Sequence, residues 1–211
     1  TDKVELCLLD TPGHVDFSAE TERTLQVLDY AVLVISGTDG VQAHTETLWR
    51  LLRKHSVPTI IFATKMDLTG ADKKRILEDI REHLTDNCID FSAEHDAAWC
   101  ETAAMCDEQT LESYMETGSV PDGDITRMVA ERKLFPVLFG SGLKLDGVGE
   151  LVHFLEDYTV QPQYGDAFGA RVFKILRDTK GTRLTCMKIT GGSLKNRDEI
   201  NGEKVTGIRI Y

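Results

Sequence analysis

Leu8-Leu9-Asp10-Thr11-Pro12-Gly13-His14-Val15-Asp16-Phe17 is the stretch on which the reading of this chain turns. An apolar run from Val4 to Leu9 stops abruptly at an acid. A Pro-Gly turn and a histidine follow, then a segment that reads as a helix from about Ser18. A buried strand that ends in a carboxylate and turns on a glycine holds that carboxylate at the carboxyl edge of a parallel sheet, where open α/β folds bind ligands. There Asp10 could hold a Mg²⁺ through water. The backbone N–H of Gly13 could face a phosphate, because no Cβ blocks close approach. Asp-x-x-Gly alone is also an ordinary strand-to-helix turn, so the rest of the chain has to decide.

Outward from this stretch the chain alternates. Val4 to Leu9 reads as the first strand and about 18–28 as a helix whose first turns carry Glu20 and Glu22, where the helix dipole favours acids. Ala31 to Ile35 is a continuous apolar run, as in a strand buried on both faces. A loop from Gly37 to Gly40 precedes a helix over 42–55, with Leu48, Leu51 and Leu52 at helical spacing. Pro58 opens a second buried strand, Thr59 to Ala63. It runs into Thr64-Lys65-Met66-Asp67 and a helix over about 71–84. Strand and helix in alternation predict a parallel sheet flanked by helices.

The rhythm stops over 86–132, which reads as an inserted helical subdomain. Its helical patterns include about 107–117, stopped by Gly118, and about 122–132, opened by Pro121. It returns with the strand Leu134 to Phe139, the loop Gly140-Ser141-Gly142-Leu143-Lys144, and a helix from Val148 to Tyr158. Residues 161–166, with Pro162 and Gly165, read as a linker. Beyond it the period becomes strand-like over 168–177, 183–189 and 204–210, with Asn201-Gly202 as a hairpin signal. The expected organisation is an α/β domain over 1–160 and the start of a β-barrel domain over 167–211.

Composition bounds the function. A formal net charge of −11 argues against a general nucleic-acid coat, and no DNA partner is expected. No apolar run approaches the roughly 20 residues of a membrane span, so no membrane association is expected. The five cysteines form no CxxC pair and read as free thiols of a reducing cytoplasm. Cys88, His95, Cys100 and Cys106 have no usual zinc-finger spacing.

Thr64-Lys65-Met66-Asp67 lies just after a buried strand. A carboxylate there can accept from guanine N1–H and the 2-amino group together, a geometry that rejects adenine. Lys65 can lay its aliphatic stem along the base plane. Taken alone, the stretch is also a charged turn.

The longer string DTPGHVDF resembles the switch II motif of translational GTPases, the family of elongation factors G and Tu and the tetracycline ribosomal protection proteins. TKMD resembles that family's NKxD base motif, with Thr64 where asparagine is usual. SGLK resembles its third base-side motif, with Gly142 where alanine is usual. The order DTPGH, TKMD, SGLK along one chain carries the resemblance. It implies a P-loop NTPase (Ras-like) G domain that binds GTP or GDP with Mg²⁺ and acts on the ribosome. It implies Asp10, Gly13, Thr64, Lys65, Asp67, Ser141, Gly142 and Leu143 as nucleotide-binding residues, with the Gly142 amide donating to guanine O6. It implies His14 as the catalytic residue that orients the attacking water; a structural histidine is the alternative.

No GxxxxGK[ST] occurs anywhere in the chain. The resemblance therefore implies a G domain missing its phosphate loop, switch I and first strands, unable to hydrolyse GTP as given. The insertion length favours the ribosomal protection type. An elongation factor G-type translocase and a non-hydrolysing binding module without a phosphate loop remain the alternatives.

Overall fold

The computed structural model describes residues 3–11 and 18–210. In chain order the elements are helix α1 (Ser18–Leu25), strand β1 (Ala31–Ser36), α2 (Ala43–Lys54), β2 (Thr59–Thr64), α3 (Lys73–His83) and β3 (Cys88–Asp90). Helices α4 (Ala97–Ala104), α5 (Glu108–Thr117) and α6 (Asp122–Ala130) precede β4 (Phe135–Phe139) and α7 (Val148–Tyr158). Strands β5 (Gly169–Arg177), β6 (Arg183–Gly191), β7 (Glu199–Ile200) and β8 (Glu203–Lys204) complete the order. The residues fall into two units. One is Leu28–Gln161 with Lys3; the other is Val4–Val27 with Pro162–Tyr211.

The first unit is built on a parallel sheet of order β1-β2-β4-β3. Its two central strands, TIIFAT and FPVLF, are continuous apolar runs because both of their faces are covered. On one face Ile60, Phe62 and Leu138 pack with Trp99, Ala103, Ile125, Met128, Val129, Phe154 and Leu155, drawn from α4, α6 and α7. Trp49 and Leu52 of α2 and Ile76 and Ile80 of α3 are also buried.

The segment 88–90 departs from the expected all-helical insertion. Cys88-Ile89-Asp90 is the fourth strand of the sheet, in register with Phe135, Pro136 and Val137. Three residues are too few to show a period, which is why the pattern does not betray it. The helices that follow share the core of the sheet. Asp107, its side chain only 6% exposed, caps α5 through the Thr110 amide and pairs with Arg127 and Lys133, each at 2.7 Å. Arg132 takes a left-handed backbone (φ 58°). Its guanidinium lies over Trp49 and Phe135 while donating to Thr59 Oγ1 at 2.8 Å and to the Val57 carbonyl. Burial lowers its pKa to about 10.

Two strand expectations need correction. Val4 to Leu9 forms no strand, and Leu8 is 84% exposed. A parallel strand is held by ladders to its neighbours, and no strand ladder among the described residues includes this segment. The same lack of a neighbour shows in β1. Among the described residues its one partner strand is β2, and its expected two-sided burial holds on one face alone: Leu33 and Ile35 are buried while Val34 is 58% exposed.

In the second unit β5 and β6 form a long antiparallel hairpin. Asp178 closes it by accepting from the Lys180 and Thr182 amides, both at 2.9 Å. Arg171 and Lys188 donate to the carbonyls of Gln26 and Val27, at the end of α1 where a helix leaves carbonyls unpaired. Asn201-Gly202 forms the expected turn, both residues at positive φ, between β7 and β8. The expected strand over 204–210 shrinks to Glu203–Lys204, continued only by backbone bonds of Val205 with Arg197 and Asp198. Ile208 and Ile210 are exposed, with no partner strand among the described residues.

Candidate functional site

Parallel strands all end on one edge, so the loops after β1, β2 and β4 emerge together. Backbone bonds tie them. The Gly37 amide donates to the Thr64 carbonyl at 2.7 Å, the Met66 amide to the Gly140 carbonyl at 3.0 Å, and the Gly140 amide to the Ala63 carbonyl at 2.9 Å. Gly140 is required at this junction: a Cβ there would lie 2.2 Å from the Asp146 carbonyl oxygen. The loop after β2 is thus held from both sides.

Within that loop Lys65 is left-handed, φ 63°, an uncommon conformation for a residue with a side chain. Its side chain is exposed. Asp67 is 12% exposed. The Ser141 hydroxyl foremost, then the Lys144 ammonium 3.6 Å away, hold its carboxyl below the ordinary carboxylate range, against the opposing effect of burial. Ser141 is 2% exposed, and its hydroxyl also accepts from the Lys144 amide at 3.3 Å. The Gly142 amide donates to Thr64 Oγ1 at 3.4 Å. Thr64, which stands where the resembling family has asparagine, therefore links the loops after β2 and β4.

The structure brings Thr64, Asp67, Ser141 and Gly142 together, with Lys65 on the same loop. Leu143 projects from the second loop, 89% exposed. Lys144 joins them although it was not a candidate; its place in Ser-Gly-Leu-Lys was the available signal. Asp10 is exposed and belongs to the other unit. Gly13 and His14 lie outside the described residues. No group of three or more His, Cys, Asp or Glu side chains placed to hold a metal occurs among the described residues. A single carboxylate such as Asp10 suits Mg²⁺, which keeps most of its shell as water and phosphate oxygens.

A half-buried acid beside an exposed lysine stands at the carboxyl edge of a parallel α/β sheet, the edge at which open α/β folds bind ligands. The sequence pattern of the family "Elongation factor Tu GTP binding domain" matches residues 1–161. The oxytetracycline resistance protein of Streptomyces rimosus is 32% identical over 97% of this chain and 35% of its own length. The tetracycline resistance protein TetS of Listeria monocytogenes is 30% identical over 99% of this chain and 35% of its own. The transposon Tn5251 TetM protein of Streptococcus pneumoniae is 32% identical over 96% and 34% respectively. A Thermus thermophilus protein of known crystal structure superposes with a TM-score of 0.75 at 24% identity, over 90% of this chain and 36% of that one. The chain belongs to the elongation factor Tu GTP-binding domain family, in the branch of translational GTPases that includes the tetracycline resistance proteins. It spans about a third of the length of these relatives. No described helix is long and apolar enough to cross a membrane.

Proposed function

We propose that this chain is the base-reading part of a ribosome-dependent GTPase of the tetracycline ribosomal protection type. The observation that carries the proposal is the Asp67 carboxylate, 3.6 Å from the Lys144 ammonium, on a loop tied to that of the adjacent parallel strand by the Met66 amide and the Gly140 carbonyl. Two acceptor oxygens face the N1–H and 2-amino donors of guanine. The exposed Lys65 lays its stem along the base, and the Gly142 amide beside Leu143 would exchange its long 3.4 Å bond to Thr64 Oγ1 for one to O6. Thr64 sets the spacing of the two loops.

On the phosphate side, Asp10 would hold Mg²⁺ through water and the Gly13 amide would meet the γ-phosphate. His14 would orient the attacking water. A bound Mg²⁺ supplies charge neutralisation of the phosphate oxygens. The sequence contains no GxxxxGK[ST]. Guanine nucleotide therefore binds this chain chiefly through its base, with millimolar affinity, about −4 kcal/mol, and is not hydrolysed by it.

The test is a GDP titration of the 211-residue chain, followed by backbone amide shifts, alongside a phosphate-release assay with GTP. Shifts confined to the Thr64–Asp67 and Ser141–Lys144 loops are expected, with no phosphate release. ADP moving the same amides equally would refute the guanine reading. Micromolar GDP binding, or GTP turnover, would refute the base-only mode.

A further inference from the structure

Helix α3 follows the base loop directly, and one of its faces grips a different loop. The Arg75 guanidinium donates through Nη2 to the carbonyls of Gly37 at 2.9 Å and Thr38 at 2.7 Å. One turn further along the same face, Asp79 Oδ2 accepts from the Val41 amide at 2.6 Å. Residues 37–41 are therefore held at both ends by side chains four positions apart.

The gripped loop is packed against the base loop. The Gly37 amide donates to the Thr64 carbonyl at 2.7 Å. A Cβ on Gly37 would lie 2.5 Å from Met66 Sδ and 2.9 Å from the Thr64 oxygen. A continuous path thus runs from Arg75 through Gly37 to Thr64 and Met66, which share the loop after β2 with Asp67. Arg75 touches none of the base-reading groups itself.

We propose that Arg75 is a positioning residue for the base loop, with Asp79 as its second anchor. By fixing residues 37–41 they fix the carboxylate of Asp67 and with it the preference for a 2-amino purine. This rests on the guanine reading of Asp67 given above. A bidentate contact tolerates little displacement, so a loosened loop loses selectivity before it loses the fold.

The experiment compares the affinities of GDP and IDP, which lacks the 2-amino group, read from the Asp67 and Ser141 amides of the 211-residue chain. Arg75→Met keeps the stem and removes the donors. Gly37→Ala disturbs the same contact from the other side, and Arg75→Lys restores a donor. Arg75→Met and Gly37→Ala are each expected to lower the GDP-over-IDP ratio at least about fivefold, with part of it regained in Arg75→Lys. An unchanged ratio with only a lower Tm would make Arg75 structural and overturn the proposal. Should Arg75→Met fail to fold, the glycine and lysine variants decide. If GDP moves neither amide in the unsubstituted chain, the guanine reading itself falls, and this proposal with it.

Discussion

Ser141→Ala isolates the contact on which the proposed base reading depends. Ser141 is 2% exposed, its hydroxyl accepts from the Lys144 amide at 3.3 Å, and its hydrogen bond is the largest influence lowering the Asp67 carboxyl. Alanine removes one oxygen without adding volume, so no clash confuses the result. The Lys144 amide lies at the surface and can turn to water, so little of the cost comes from it. A hydrogen bond of this kind is worth about 1–2 kcal/mol, and we expect Ser141→Ala to lower the unfolding free energy by about that much in urea.

The site itself reports through titration. The Asp67 carboxyl, held below its ordinary 3.8, should move upward in the variant, because Ser141 is the largest influence lowering it. A folded-state pKa below the unfolded one gives stability that is present above the unfolded pKa and lost as pH falls through the folded pKa. The variant should therefore show a smaller loss of stability when the chain is taken from pH 5 into acid. Carbon-detected NMR titration of Asp67 checks this. An Asp67 that titrates at the same pH with and without the serine hydroxyl would refute the argument.

Asp67→Asn exchanges two acceptors for one acceptor and one donor. The amide-shift titration should then show preference moving from GDP toward the xanthine nucleotide, which presents a carbonyl in place of the 2-amino group. Unchanged preference would make the loop a plain turn. Asp107→Asn keeps the cap on α5 but strips the charge that pairs with Arg127 and Lys133. Chemical denaturation should show a loss of about 1–3 kcal/mol, the partners being partly exposed. The native carboxyl lies far below its ordinary value, from the Lys133 and Arg127 contacts, so the variant's deficit should be full at pH 7 and shrink as pH falls below about 4. Arg132→Met keeps apolar cover for Trp49 and Phe135 but removes the donor to Thr59 Oγ1 and one of the two donors to the Val57 carbonyl, the other being the Thr59 hydroxyl, and should lower stability by about 1–3 kcal/mol by the same measurement.

The strands and helices between Ala31 and Tyr158 were legible because long apolar runs and helical spacing survive in a unit with one shared core. What the sequence hid was relational. Cys88-Ile89-Asp90 is a strand only because Phe135 to Val137, far along the chain, lies beside it. Val4 to Leu9 has every local mark of a buried strand, yet local marks supply no neighbour. That the TKMD and SGLK loops follow strands was readable, since each sits in a few contiguous residues after an apolar run, and the structure shows them side by side. The grip of Arg75 on Gly37 and Thr38 was not, because it joins loops through carbonyls, which every residue has.

The strand order β1-β2-β4-β3 has a temporal meaning. As the chain is made, β3 exists before the strand that must lie between it and β2. At roughly 5–20 residues per second, seconds pass between synthesis of Asp90 and of Phe135. Until then β2 offers an open edge and β3 has nothing to join. Insertion of Phe135–Phe139 closes the sheet, and the very next residues, Gly140 and Ser141, carry the groups that bind Met66 and Asp67. Joining of β3 to β2 and assembly of the proposed base site are thus one event. A nascent chain stalled short of Phe135 should show neither slow amide exchange in β2 nor a response to guanine nucleotide, and one released past Lys144 should gain both together.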